Sequence, residues 1–329
     1  MSTPISSSSS SADNRPLFIV NPAAGRGKTG RTWPQMKATI EAKLGPIDVS
    51  FTNAPGHGIT LARDAAEAGR PLVVAVGGDG TFHEIVNGVA EGPASTGTKR
   101  ATDVGILAQG TGGDFRRTLG LEHRLDRYLD ALAGGRSRPL DLGKATFLDR
   151  NGKPTTRWFV NVLSAGMGGL VDQYVQESGR ALGNAAAYWF ASLRALMTIE
   201  AGRLRCTVTG ADGTETVHEI ASYMVAICNG RYFGSGMHVA PMADPADGLF
   251  ELVALPAGSK VGFTVRSQRI YDGSHIGQAG TLHLRGRKFH LELIDDRAKG
   301  TFLLDVDGEP LGRLPLTIEV VPNALHVRA

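Results

Sequence analysis

An acidic residue set among glycines is the first candidate for chemistry in this sequence. Asp79 lies in the run Gly77-Gly78-Asp79-Gly80-Thr81, directly after the apolar stretch Val73–Val76. Glycines let a backbone approach phosphate groups closely, and a carboxylate beside phosphate is costly unless a cation shares the site. The sequence gives Asp79 no packing role, so we expect its carboxylate to have a chemical one.

The residues that follow this loop predict a helix with one buried face. Thr81 and Glu84 are spaced as a capping box, in which each side chain binds a backbone N–H of the first turn. This interpretation accounts for Glu84 without chemistry, and His83 is expected to cap the helix or to face solvent. Four apolar residues recur at helical spacing, namely Phe82, Ile85, Val86 and Val89.

A second glycine-rich loop lies in LFIVNPAAGRGKTG, residues 17–30. Its end, Gly27-Lys28-Thr29, matches the end of a Walker P-loop, whose backbone N–H groups wrap a phosphate. The first glycine of that motif would stand at Pro22, which has no N–H to donate. The sequence therefore predicts an anion-binding loop of another design, with Lys28 solvated.

Two acidic motifs in the second half each allow two interpretations. In FLLDVDGEPLG, Asp307 and Glu309 flank Gly308, and they fit either a tight turn with solvated carboxylates or a general base. In MADPADGLFEL, Asp244 and Asp247 fit either a hairpin turn or an oxygen-ligated magnesium site. The residues alone leave both pairs of alternatives open.

The elements that must position these residues fall into two classes. Residues 17–133 alternate short apolar runs, glycine loops and helical patterns, which predicts a parallel sheet covered by helices. From about residue 140 the runs have period two, which predicts an antiparallel sandwich or barrel, interrupted by one helical segment at about 169–201. We expect an α/β domain at 14–137 and a β-rich domain at 138–329, with a cleft between them. The extreme C-terminus could pack back on the first domain.

Composition narrows the function classes. A length of 329 residues predicts two domains, and a net charge of +3 is too small to argue for nucleic acid. Cys206 and Cys228 lack metal-ligand spacing, and the Ser-rich residues 1–13 predict a disordered tail. Without an apolar run of membrane-spanning length or a secretory signal, the sequence predicts a cytoplasmic protein.

Five motifs, in order, resemble the diacylglycerol kinase catalytic-domain family, which includes sphingosine and ceramide kinases and is distantly related to NAD kinases. They are NPAAG, GGDGT, LAQGTGGDF, NGRYFGSGMHVAPMADPADG and DVDGEPLGRLPLTIEVVPNAL, and they span nearly the whole chain beyond the tail. The resemblance implies an ATP-binding α/β domain followed by a β-rich lipid-substrate domain. His83 and Gly113 stand where many members carry Asn, so each position lacks an amide.

The resemblance also implies the site residues. It places Mg²⁺ at the Asp247 carboxylate and at the backbone carbonyls of Asp244 and Leu249. It draws a general base from the DGE motif, for which we favour Glu309 slightly, with Asp307 as its orienter or as the base itself. ATP would be bound by residues of four loops: Asn21, Pro22, Ala23, Ala24, Gly25, Thr52, Gly77, Gly78, Asp79, Gly80, Thr81, Phe82, His83 and Thr111.

The function expected from these features is an ATP- and Mg²⁺-dependent lipid kinase that converts diacylglycerol to phosphatidic acid. A sphingoid or other lipid kinase, an NAD kinase-like enzyme and a non-catalytic nucleotide- or lipid-binding regulator are the alternatives. The chain has no Asn-Glu dipeptide, which NAD kinases use to grip the ribose of their substrate. We expect peripheral contact with a membrane that carries the lipid substrate, and a homodimer is one option for the assembly.

Overall fold

The computed structural model describes residues 14–92, 102–110, 112–134, 136–178 and 184–329. The chain divides into two units. The first contains the described residues up to Leu140 together with Ala324–Ala329, and the second contains Asp141–Asn323. The predicted tail, residues 1–13, lies outside the described residues.

The first unit alternates strands with helices. Its strands are nearly continuous apolar runs and three of them are almost fully buried, as expected for strands covered on both faces. The strands are β1 (Leu17–Val20), β2 (Asp48–Phe51), β3 (Leu72–Gly77) and β4 (Asp103–Ala108). The helices are α1 (Lys28–Leu44), α2 (His57–Glu67), α3 (Asp79–Glu91), α4 (Asp114–Thr118) and α5 (Leu125–Ala133).

These four strands pair in parallel in the order β2-β1-β3-β4. Val20 lies opposite Val76, and Val76 lies opposite Leu107, so the carboxyl ends of β1, β3 and β4 are level. The chain leaves β1 toward β2 on one side and leaves β3 toward β4 on the other. The strand order therefore reverses between β1 and β3, and such a point is where open α/β sheets bind ligands.

The second unit is rich in antiparallel strands. Its strands are β5 (Ser137–Asp149), β6 (Pro154–Phe159), β7 (Val162–Gly166), β8 (Gly202–Thr209), β9 (Glu215–Cys228), β10 (Phe250–Pro256), β11 (Leu282–Gly286), β12 (Lys288–Leu293), β13 (Leu303–Val306) and β14 (Glu309–Arg328). Its helices are α6 (Met167–Ser178), α7 (Asn184–Thr198) and α8 (Lys260–Ser267). The predicted two-domain chain with a β-rich second half is thereby confirmed, whereas the cleft stays a prediction.

Six strands of the second unit close into a ring, in the order β9-β7-β13-β14-β12-β8 and back to β9. Residues of the ring strands, such as Leu204, Phe289 and Leu316, form one apolar core together with Phe147 of β5 and Phe159 of β6. Alternate residues of β9, such as Ala226 and Cys228, instead join a second core with α6, α7 and α8. The period-two pattern thus separates two cores on opposite faces of the same strands.

The predicted single helical segment contains two helices, α6 and α7, and residues 179–183 between them lie outside the described residues. Glycines let α6 lie directly on the strands. A methyl group added at Gly168 would lie 2.2 Å from Ser164 Oγ, and one at Gly169 would lie 2.6 Å from the Leu303 carbonyl oxygen. None of the described helices combines the length and the apolar character needed to cross a bilayer.

Candidate functional site

The loop after β1 is joined to the loop after β3 by the side chain of Asn21. Asn21 Nδ2 donates to Thr81 Oγ1 at 3.1 Å, and Asn21 Oδ1 accepts the Ala23 N–H at 3.0 Å. The Asn21 N–H donates to the Val76 carbonyl at 2.9 Å. Asn21 therefore organises the two loops that meet where the strand order reverses.

The rest of the first loop is a tight turn of left-handed backbone. Gly25 has φ of +59°, and a methyl group there would lie 2.8 Å from the Gln109 carbonyl oxygen, so this position requires glycine. The Pro22 carbonyl accepts the Gly30 N–H at 3.2 Å, so Pro22 contributes to the turn through its carbonyl. Ala23 and Ala24 complete this turn between β1 and α1.

Three glycines, Gly77 at the end of β3, Gly78 after it and Gly80 in the first turn of α3, have different surroundings. A methyl group at Gly77 would lie 2.3 Å from Thr81 Oγ1, and one at Gly110 would lie 2.8 Å from the Cα of Gly78. The loops after β3 and β4 are thus in backbone contact. Gly80, in contrast, is exposed inside α3 with nothing within 4 Å of an added methyl group. Packing explains Gly77 and Gly110 but does not explain Gly80.

Asp79 has structural partners, which corrects the expectation that it has none. Its Oδ2 accepts the Gly113 N–H at 2.8 Å, and its Oδ1 lies 3.4 Å from the Phe115 N–H. Both donors lie in the loop between β4 and α4 or at the start of α4. Because the partners are 34 and 36 residues away in sequence, no local pattern indicates them. Asp79 places its negative charge where two loops of the sheet edge meet.

The predicted capping box is wrong. Helix α3 begins at Asp79 with Gly78 as its N-cap, and no side chain caps it. Thr81 pairs with Asn21 instead, and Glu84 accepts the N–H groups of Gly56 and Gly58 at the start of α2, each at 2.8 Å. These long-range donors replace the local partners that the spacing suggested. Glu84 still has a structural role, which is to hold α2 against α3.

The side chains of Phe82 and His83 are buried, so a nucleotide could reach these residues only through their backbone. Phe82 stacks on Phe115 with ring centroids 5.2 Å apart. His83 is 2% exposed, and its Nε2 lies 3.2 Å from Asn87 Nδ2. The expectation that His83 caps the helix or faces solvent is therefore wrong. One turn of helix separates His83 from Asn87 and turns both side chains inward.

Two further residues were predicted to contact the nucleotide, Thr52 and Thr111, and the structure describes only the first. Thr52 follows β2, and its N–H donates to the Val20 carbonyl at 2.9 Å, so it lies at the same carboxyl edge as Asn21. Thr111 lies outside the described residues.

Basic side chains surround these loops. Burial lowers the pKa of His123, and the positive charges of Arg116, Lys28 and Arg117 lower that pKa further. Arg117 binds Asp114 at 2.5 Å, whereas the Lys28 side chain is exposed. The positive field at this edge suits an anionic ligand such as a phosphate.

In the second unit, the DGE motif is a two-residue hairpin turn. Val306 at the end of β13 pairs with Glu309 at the start of β14, and Asp307 and Gly308 between them have φ of 52° and 90°. Both residues have left-handed backbone conformations, which is the geometry of a type I′ turn and favours Asp-Gly. The interpretation as a tight turn is correct for the backbone.

The Asp307 carboxylate is not a solvated one. Its Oδ2 accepts the Val160 N–H at 2.8 Å, and its Oδ1 accepts the N–H groups of Asn161 and Val162 at 2.9 and 3.0 Å. These bonds tie the turn to the segment between β6 and β7. A carboxylate has about four acceptor sites, so most of the capacity of Asp307 is used. Glu309 is partly exposed at the first position of β14.

Two neighbouring carboxyl groups lie next to this turn and were missed from the sequence: Asp305 on β13, which is buried, and Asp172 on α6, which is partly buried. Asp305 Oδ1 accepts the Gly308 N–H at 2.7 Å, and Asp305 Oδ2 lies 3.4 Å from Ser164 Oγ. Burial raises the pKa of Asp172 to about 7. Burial and the neighbouring Asp172 charge raise the pKa of Asp305 well above its usual range. The sequence signal for this pair is Asp305, an acidic residue at a core-facing position of the otherwise apolar strand β13.

The predicted magnesium ligands, the Asp247 carboxylate and the carbonyls of Asp244 and Leu249, lie in a loop whose carboxylates have protein partners. Asp247 binds the Arg285 guanidinium, and its Oδ1 accepts the Leu249 N–H at 3.0 Å. Asp244 Oδ1 accepts the Ala246 N–H at 3.1 Å. Among the described residues, no cluster of three or more His, Cys, Asp or Glu side chains could hold a metal ion. The Asp247 carboxylate is paired with Arg285, and the magnesium site stays a prediction.

The nearby Asp141 is better buried, and it holds this segment in place. Its two carboxylate oxygens accept the N–H groups of Gly248 at 2.6 Å and Asn323 at 2.8 Å. Burial raises the pKa of Asp141, and the charges of Asp247 and Asp244 raise it further. The hairpin interpretation therefore fits this loop better than the metal interpretation does.

Two family models match the chain. The diacylglycerol kinase catalytic domain matches residues 15–145, and the YegS C-terminal NAD kinase beta sandwich-like domain matches residues 161–329. The chain belongs to the diacylglycerol kinase catalytic-domain family. The predicted resemblance is confirmed, and membership in this family makes the chain a kinase.

Curated members of the family cover most of the chain. The probable lipid kinase YegS-like of Pseudomonas syringae pv. syringae (strain B728a) is 31% identical over 283 residues, which are 85% of this chain and 83% of that protein. The diacylglycerol kinase of Bacillus subtilis (strain 168) is 24% identical over 314 residues, which are 95% of each protein. A crystal structure of a diacylglycerol kinase from Bacillus anthracis str. Sterne has a TM-score of 0.67 at 21% identity and covers 96% of both chains, which shows a shared fold.

Proposed function

We propose that the protein is an ATP-dependent lipid kinase that transfers the γ-phosphoryl group to the hydroxyl of diacylglycerol, giving phosphatidic acid. The observation that carries the proposal is the bond between Asp79 Oδ2 and the Gly113 N–H at 2.8 Å, at the carboxyl edge of the parallel strands. That bond fixes a carboxylate where the loops after β3 and β4 meet, beside the reversal of strand order at which such sheets bind nucleotides.

In this proposal, the nucleotide lies against the loops after β1 and β3. The first turn of α3 has no side-chain cap, so its backbone N–H groups are suited to a phosphate. Gly80 in that turn is exposed and unobstructed, which lets a phosphate approach the backbone closely. Exposed Lys28 adds positive charge nearby. These features support the residues predicted to bind ATP, from Asn21 to Gly25 and from Gly77 to His83.

The general base is proposed to be Glu309, with Asp307 as its orienter. Asp307 accepts three backbone N–H groups, and Asp305 accepts a fourth from Gly308, so the turn that presents Glu309 is held from two sides. A carboxylate with spare acceptor capacity is the better recipient of the hydroxyl proton. Phosphoryl transfer otherwise depends on positioning and on neutralising charge.

The choice of a lipid acceptor rests on relatives that are named lipid kinase and diacylglycerol kinase. Because such an acceptor resides in a bilayer, we propose reversible, peripheral contact between the protein and a membrane. Magnesium enters the proposal only as the counterion that neutralises the phosphates of ATP. The Asp244–Leu249 segment is not assigned a role in catalysis.

The proposal is tested by incubating the purified protein with ATP, Mg²⁺ and separate acceptors, and by identifying products with mass spectrometry. The acceptors are dispersed diacylglycerol, a sphingoid base and NAD. We expect phosphatidic acid from diacylglycerol and none from the same mixture with Asp79→Asn. Exclusive phosphorylation of the sphingoid base would move the enzyme to another lipid, phosphorylation of NAD would make it an NAD kinase, and no product from a folded protein would support a regulator.

A further inference from the structure

The outward faces of α7 and α8 carry apolar side chains that the second unit leaves in solvent. Val261 is 75% exposed, Met197 71% and Val265 63%, and these are the most exposed large hydrophobic side chains among the described residues. Leu193 and Tyr271 extend the same surface and are 42% and 55% exposed. We call these five residues the α7–α8 surface.

Helical geometry shows that these residues form faces directed away from the core. In α8, Val261 and Val265 are four residues apart and share a face, whereas Phe263 between them is buried against Tyr223 at 5.2 Å. In α7, Leu193 and Met197 are likewise four apart, whereas Ala191 and Ala195 are buried on the other side. Both helices are therefore apolar on two faces, which a helix bathed only in water does not need.

A hydrogen bond links the two helices. Lys260, the first residue of α8, donates from Nζ to the Met197 carbonyl at 2.6 Å near the end of α7. Met197 accepts this bond through its backbone, and Val261 follows Lys260 in sequence, so the two most exposed large hydrophobic residues flank one link between the helices. Tyr223 donates from its hydroxyl to the Gly258 carbonyl at 2.7 Å, which fixes the chain that enters α8.

The charged side chains near this surface are mostly basic. The stretch from Lys260 to Tyr271 contains Lys260, Arg266 and Arg269 and no carboxylate, in a chain with 35 basic and 32 acidic residues. Arg266 and Arg269 are exposed. On α7, Arg194 is bound to Glu177 at 3.1 Å. The next residue is Asp272; hydrogen bonds from Ser274 lower its pKa, and the charge of Arg269 lowers it further. The surface therefore keeps an excess of positive charge over one carboxylate. Apolar side chains beside such an excess match the boundary between acyl chains and anionic headgroups.

We propose that the α7–α8 surface docks the protein on an anionic lipid bilayer, with Val261, Val265 and Met197 in the acyl-chain boundary and Arg266 and Arg269 at the headgroups. The inference rests on the proposed function in one respect, since a kinase with a bilayer-resident acceptor needs a docking face. A second copy of the chain fits this surface poorly. A two-fold interface would bring two copies of the same positively charged surface together, which is electrostatically unfavourable.

The test is co-sedimentation of the full chain with phosphatidylcholine vesicles, with and without phosphatidylglycerol. The apolar variant is Val261→Gln with Val265→Gln, because Gln is a better helix former than Val. Its control is Val217→Gln on β9, another valine that is 61% exposed. The charge variant is Arg266→Gln with Arg269→Gln. Its control is Arg124→Gln with Arg127→Gln, two exposed arginines at the same spacing in the first unit.

We expect the parent to bind vesicles that contain phosphatidylglycerol and to lose that binding as salt is raised. The charge variant should bind about 25-fold more weakly, since each of its two cations contributes about fivefold near an anionic surface. The valine variant should lose at least about tenfold, because it removes two apolar side chains from the acyl-chain boundary. The controls should bind as the parent does. Binding that is unchanged in both variants, or equal for both vesicle types, would overturn the docking proposal.

Two further measurements separate this proposal from its rivals. Sedimentation equilibrium that finds a dimer in the parent and a monomer in the valine variant would assign the surface to a second copy instead. Turnover of a short-chain diacylglycerol dispersed in detergent tests the kinase separately, and there the α8 variants should match the parent. A parent that phosphorylates no lipid but binds anionic vesicles through α8 would reject the proposed function and support the docking surface.

Discussion

Asp79 Oδ2 accepts the backbone N–H of Gly113 at 2.8 Å, and the two residues are 34 positions apart in the chain. The bond joins the glycine loop after β3 to the glycine loop after β4. It has two consequences, because it positions a negative charge at the sheet edge and also contributes to the order of that edge. Substitutions at Asp79 must separate these two effects.

Asp79→Asn should keep the fold and lose the activity. An Asn at this position retains one carbonyl oxygen for the Gly113 N–H but carries no negative charge. We expect the melting temperature to change little and kcat to fall by at least about 10²-fold, the scale of losing one electrostatic contribution in the transition state. Differential scanning fluorimetry and a kinase assay measure the two quantities. Asp130→Asn on the exposed face of α5 is the control. Near-parental turnover in a stable Asp79→Asn protein would remove Asp79 from the mechanism.

Gly80→Ala should stabilise the protein and weaken ATP binding. The position is exposed within α3 and has space for a methyl group, so the helix gains about 0.5–1 kcal/mol from the change. The methyl group would meet a phosphate that approaches the backbone. Gly300→Ala is the matched control, because it also has open space. Calorimetric titration with ATP checks the affinity, and affinity equal to that of the parent would contradict the proposed position of the phosphates.

Substitutions of the two DGE carboxylates should affect different properties of the protein, Glu309 its rate and Asp307 its stability. Glu309→Gln should lower kcat by about 10²–10⁴-fold, the usual contribution of a general base, with little change in stability. Asp307→Asn should lower stability by about 1–3 kcal/mol, because an amide cannot accept all three N–H groups that the carboxylate holds. Urea unfolding and single-turnover phosphorylation give the two readouts. A stable Asp307→Asn protein with a large loss of rate would make Asp307 the base instead.

The Asp172–Asp305 pair should make stability fall as pH rises. The pKa of Asp172 is about 7 in the folded protein against 3.8 in the unfolded chain, so between these values only the folded state keeps the proton. The contribution of this pair to stability is therefore largest at acidic pH and falls across this window by up to about 1.4 kcal/mol per pH unit. Asp172→Asn should flatten the dependence, as measured by urea midpoints from about pH 4 to about pH 8. The same slope in the variant and the parent would contradict the buried shared proton.

The order of the elements and the positions of the loops could be predicted, because strands and glycine loops leave local patterns. The hydrogen-bond partners of the polar side chains could not be predicted from the sequence. Thr81 and Glu84 have the spacing of a capping box, yet they bind Asn21 and the start of α2. These donors become available only when separate strands are brought to one sheet edge.

The same limit applies to the second unit. The sequence indicates this turn, because an Asp-Gly pair favours the left-handed backbone that residues 307 and 308 adopt. It does not indicate that Asp307 binds N–H groups of residues 160–162, or that Asp172 and Asp305 meet. The magnesium site implied by family resemblance stays a prediction, and the sequence does not indicate the ion pair found at its carboxylate. Arg285, from a different strand, occupies the carboxylate of Asp247.

The central claim is the transfer of a phosphoryl group from ATP to a lipid hydroxyl. Its most direct test is a single-turnover reaction of the parent protein with ATP labelled in the γ-phosphate and diacylglycerol in mixed micelles. We expect the label to appear in phosphatidic acid at the rate at which ADP forms, and Glu309→Gln to slow both together. Label that appears only in free phosphate, at a rate independent of diacylglycerol, would contradict the account.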